Sequence, residues 1–73
     1  MVTNQAKYNS EHISLRTKFM NNLKRIPQNI RQEYTIAIVE DKPFTWDTAA
    51  IEIMNMTKLG EKILNKLKES GIL

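Results

Sequence analysis

The sequence predicts an all-α fold, a single small domain of three helices over about 9–26, 27–41 and 45–70, packed as an oligomer. Three observations predict it. Apolar residues recur at spacings of three and four through most of the chain, the period of a helix with one buried face. Pro27 and the stretch Asp41-Lys42-Pro43 cut that periodicity into three runs, because the residue before a proline is pushed out of the helical region. No second segment reads as a strand, and a lone strand leaves its backbone hydrogen bonds unpaired.

The first helix starts at Asn9 or Ser10; with Asn9 as N-cap, Tyr8 at N′ and Ile13 at N4 are spaced as a hydrophobic staple and Glu11 falls in the first turn. Ile13, Leu15, Phe19, Met20, Leu23 and Ile26 form its apolar stripe. Thr17, Lys18, Asn21 and Arg25 face away. Residues 1 to 8 precede these signals and are expected to form a flexible N-terminal segment.

Pro27 suits the first position of the second helix, and Ile30, Tyr34, Ala37 and Ile38 continue at helical spacing. Tyr34 to Val39 is also rich in β-branched residues, so a strand is the alternative there. Such a strand escapes the objection of an unpaired backbone if it pairs with its own copy in a dimer.

The third helix opens at Thr45 as N-cap, with Asp47 complementing the dipole and Phe44 placed to pack on Ala49. Its main stripe is Trp46, Ala49, Ala50, Ile53, Met56, Gly60, Ile63, Leu64 and Leu67, and Gly71 is placed to end it, with Ile72 following for the apolar contact that accompanies such a cap. A glycine inside a helix costs about 1 kcal/mol relative to alanine. Gly60 therefore implies that something, another helix of this chain or of a partner, approaches closely.

Composition excludes more than it identifies. A 73-residue chain with 41% hydrophobic and 26% charged residues is folded rather than disordered, but a chain of this size buries only roughly 60% of its unfolded surface, which favours self-association. The absence of cysteine removes disulfides, thiolate nucleophiles and cysteine-based zinc sites. With one histidine, His12, serines explained by helix ends and two isolated glycines, no catalytic set, metal set or phosphate loop can be assembled, so no enzymatic activity and no cofactor are expected. The start MVTNQAKYN lacks a signal-peptide core, and no apolar run approaches a bilayer span, so a cytoplasmic protein that does not engage membranes is expected. Size, a mild net charge of +3 and the lack of catalytic groups are a combination found among small proteins of phages and other mobile elements.

By elimination, the expected function is that of a small helical regulator or inhibitor that acts by binding a protein partner and its own copy. A second apolar stripe on the third helix, Ile51, Met54, Asn55 and Leu59, carries that expectation, with Asn55 setting register and Phe44 as a further anchor. Lys58, Lys62 and Lys66 lie at i, i+4 and i+8 beside Asn55, an arrangement that suits a phosphate backbone and an adenine edge, so a DNA-binding regulator is the alternative. The ending LNKLKESGIL resembles the close of a winged-helix recognition helix, which implies the same DNA contact, although no strands follow it here. Arg25 and Arg31 are the candidates for a third reading, an oligomer that sequesters a small anionic ligand.

Overall fold

The computed structural model describes residues 7 to 73, so most of the N-terminal segment expected to be flexible lies outside the described residues. Six elements follow in order: α1 (Ser10–Leu23), α2 (Gln28–Glu33), β1 (Thr35–Val39), β2 (Lys42–Thr45), α3 (Trp46–Met54) and α4 (Lys58–Glu69). The all-α expectation is thus wrong in the middle of the chain. Among the described residues, four helices and an antiparallel hairpin stand where three helices were expected.

The second helix stops at Glu33 instead of running to 41, and the alternative strand is what forms. Its partner is the short segment Lys42–Thr45, paired Val39 to Lys42, Ile38 to Pro43, Ala37 to Phe44 and Thr35 to Thr45, with a bulge at Ile36. Glu40 and Asp41 make the two-residue turn, both with positive φ (53° and 66°). That is the conformation hairpins prefer and non-glycine residues resist. Pro43 survives within a strand because its side of β2 is an outer edge.

The third helix is broken at 55–57. Met56 adopts a left-handed φ of 53°, and the N–H groups of Met56 and Thr57 bond to the carbonyls of Ile53 and Glu52, which is a Schellman ending. Thr57 then caps α4, accepting the Gly60 N–H at 2.9 Å. The same ending recurs at the close of α4, here with Gly71 at φ 85° and bonds from Gly71 to Lys68 and from Ile72 to Leu67. The short turn keeps the apolar phase, so Trp46, Ala49, Ala50 and Ile53 before it and Gly60, Ile63, Leu64 and Leu67 after it are all buried.

The core joins these residues to Leu15 and Phe19 of α1 and to Ala37, Val39 and Phe44 of the hairpin. Phe19 and Trp46 sit at its centre with ring centroids 5.2 Å apart. The N-caps form as the sequence predicts: Asn9 accepts from the His12 N–H at 2.8 Å, and Thr45 exchanges bonds with Thr48. Ile13 is exposed, so no staple closes there, and Tyr8 instead packs on the His12 ring and donates its hydroxyl to the Thr57 carbonyl at 3.0 Å. Gly60 does mark a close approach within the chain. A Cβ there would lie 2.5 Å from the Tyr8 hydroxyl and 2.6 Å from the Glu52 carbonyl oxygen.

Candidate protein-binding site

Strand alternation assigns the two faces of β1 different work. Ala37 and Val39 point into the core, while Ile38 is 60% exposed, Ile36 at the bulge is half-buried against the core, and Tyr34, just before the strand, is 62% exposed. The bulkier set therefore faces out. A soluble strand usually does the reverse.

A groove runs along the edge of β1 that β2 does not occupy. One wall is Thr35 to Glu40, and the other is the flank of α4, formed by Lys62, Asn65, Lys66, Glu69 and Ser70. Thr35 and Ile36 share the groove with Ser70, and Glu40 shares it with Lys62, so strand and helix run in opposite directions. The Glu40 carboxylate pairs with the Lys62 ammonium across it, and that lysine, by hydrogen bond and charge, holds the Glu40 carboxyl below its ordinary range. Val39 and Lys42 close the turn as a bonded pair, Ala37 and Phe44 form the next, and Ile38 between them directs its N–H and C=O away from β2. The groove thus offers a strand edge and an apolar floor to an extended segment, which is the geometry of recognition by strand addition.

The residues singled out from sequence are dispersed by the break at 55–57. Ile51 and Met54 remain 59% and 52% exposed on α3, but Leu59 is half-buried against the core and Phe44 is fully in it. Asn55 is exposed, and its side chain donates to the Ile51 carbonyl at 2.8 Å, finishing α3 instead of facing a partner. The second apolar stripe is therefore a pair, Ile51 and Met54. Asn55 also lies off the helix that carries the lysines: Lys58 and Lys66 are exposed on α4, while Lys62 is paired with Glu40. Arg31 bonds to Asp47 at 3.1 Å and to the Ile26 carbonyl at 3.4 Å, tying α2 to the start of α3, and Arg25 is exposed.

Sequence reasoning did not single out Tyr34 and Ile38 as surface residues, and it held the strand and its pairing edge only as the alternative to a helix. The signal was present in the alternation of Tyr34, Ile36 and Ile38, but a helix reading assigns Tyr34 and Ile38 to the core. It also passed over a polar cluster between α1 and α4. His12 is buried, with Nε2 2.9 Å from Asn65 Oδ1 and Nδ1 3.4 Å from the Glu61 carboxylate. Beside it, Tyr8 is pushed up to about 12, first by burial and then by the Glu61 charge. These contacts tie the two helices together. Among the described residues there is no group of three or more potential metal ligands of the His, Cys, Asp and Glu type, and no helix long and apolar enough to cross a membrane.

No family model, curated protein or solved structure matches the chain.

Proposed function

We propose that this chain is a small cytoplasmic, non-enzymatic regulator or inhibitor that acts by binding protein, and that its binding site is the groove between the free edge of β1 and α4. The observation that carries this reading is the outward placement of Tyr34 and Ile38, 62% and 60% exposed, next to a strand edge with unused backbone groups. Exposed apolar side chains scattered singly need no partner, but an open strand edge beside one invites pairing unless it is covered. The exposed pair on α3, Ile51 and Met54, supports a second, smaller contact of the same kind.

This reading is favoured over DNA contact because the lysine row lacks what recognition requires. Its middle member is neutralised by Glu40, and Asn55, the side chain singled out for an adenine edge, is bonded to its own helix end. Pull-downs with the wild type, with Tyr34→Asp/Ile38→Asp and with Ile51→Asp/Met54→Asp test it. A partner lost only with the hairpin variant supports the groove. Loss only with the α3 variant moves the site to α3, and a salt-dependent DNA complex weakened by Lys58→Ala/Lys66→Ala overturns the reading in favour of nucleic acid.

A further inference from the structure

We infer that the groove takes β1 of a second copy of this chain, giving a two-fold symmetric dimer with a four-stranded antiparallel sheet in which the two β1 strands are central. This rests on the protein-binding reading above and names its partner. The hairpin has two free edges, and they are not alike. On β2 the outward position is held by Pro43, which has no N–H to offer, so that edge is blunted. On β1 the residue opposite, Ile38, turns an intact N–H and C=O outward. The sheet can grow on one side only. Growth there by an identical strand is isologous and closes after one addition, leaving a blunted edge at each end.

Charge selects the copy as occupant. Ile38, Lys66 and Glu69 line both stretches of the groove, which puts them at its middle. Among the described residues, neither Lys66 nor Glu69 belongs to an ion pair. A two-fold axis through that point brings each α4 alongside the other in the opposite direction. Lys66 of each copy then faces Glu69 of the other, in two equivalent pairs. An approach in the parallel sense sets lysine against lysine and glutamate against glutamate. The same dimer sets the two Ile38 side chains beside each other on one face of the sheet.

The bulge at Ile36 keeps the new ladder short, because it turns the first residues of β1 out of register. A short ladder with a side-chain border makes a concentration-dependent dimer rather than a permanent one.

The test joins sedimentation equilibrium with amide exchange read residue by residue. Wild-type protein is expected to dimerise as its concentration is raised, with exchange of the Ile38 amide slowing in step. Ile38→Pro removes the outward N–H without removing a bond to β2, and is expected to raise the dissociation constant on the order of tenfold or more. The charge variants remain informative if that proline disturbs folding. Lys66→Glu alone and Glu69→Lys alone should each weaken the dimer, and mixing the two variants should restore association as a heterodimer. A wild-type monomer at every concentration overturns the inference, as does a dimer whose Ile38 amide exchanges at a rate independent of concentration. If the chain is monomeric yet Ile38→Pro abolishes capture of a partner in the pull-down, self-pairing falls and the protein-binding reading stands. If Ile38→Pro changes neither, both fall.

Discussion

Single residues set the sharpest constraints on this chain. Gly60 is the clearest case, because the Glu52 carbonyl and the Tyr8 hydroxyl occupy the space a side chain would take. Gly60→Ala should therefore destabilise the protein by about 1–3 kcal/mol in chemical denaturation, as overpacking does, even though alanine is the better helix former. A gain in stability would mean that α3 and α4 can separate freely. Asp41 is the opposite case. It is exposed, with a left-handed φ of 66° that glycine adopts without strain. Asp41→Gly should stabilise the fold by about 0.5–1 kcal/mol, read from the shift of the denaturation midpoint.

At the scale of elements, the joint between α3 and α4 holds the architecture together. Thr57 accepts the Gly60 N–H, donates its hydroxyl to Glu52 Oε1 at 2.7 Å and receives the Tyr8 hydroxyl on its carbonyl. Arg16 of α1 reaches the same place, donating to the Ile53 carbonyl at 3.2 Å and to that of Met54 at 3.3 Å. Both carbonyls lie in the last turn of α3, where the helix supplies no i+4 partner, and Ile53 takes this bond in addition to that from the Met56 N–H. Tyr8→Phe removes one partly buried hydrogen bond and should cost about 1 kcal/mol. It should also change the alkaline limb of the stability curve. Burial raises Tyr8 from its ordinary 10.0 to about 12, so its contribution is complete below pH 10 and is lost as pH rises through about 12. Melting temperatures measured from pH 9 upward should fall less steeply in Tyr8→Phe than in the wild type, and parallel curves would rule out this assignment.

For the whole molecule, charge links the segments that hydrophobic packing brings together. Glu11 of α1 pairs with Lys68 near the end of α4, and Glu40 of the hairpin turn pairs with Lys62. The paired lysine, through a hydrogen bond and its charge, holds each carboxyl below its ordinary range. A depressed carboxyl binds fewer protons folded than unfolded, so its stabilisation is present above the ordinary carboxylate range and lost as pH falls through and below it. The melting temperature should drop on acidification below about pH 4.5, and the drop should be shallower in Glu11→Gln/Glu40→Gln. Both pairs are exposed, so added salt should shrink the difference between the curves.

What the sequence by itself determined is three of the helix ends and the helical share of the core. Asn9, Thr45 and Gly71 act through local backbone chemistry that needs no distant partner, and Trp46 to Leu67 keeps an apolar phase that survives the break in its helix. Gly60 also announced a close approach, since a glycine inside a helix is costly without one. Only the tertiary structure decided the hairpin and the break at 55–57. Both turn on non-glycine residues held at positive φ, Glu40 and Asp41 in one and Met56 in the other. Of the three only Asp41 has a local tendency toward that conformation, so packing from elsewhere must support the turns: Ala37, Val39 and Phe44 anchor the hairpin in the core, and Arg16 bonds to the carbonyls beside Met56. The candidate site was hidden for the same reason. Tyr34 and Ile38 read as core at helical spacing, and they face outward because burial of Ala37, Val39 and Phe44 in the core makes the segment after Tyr34 a strand.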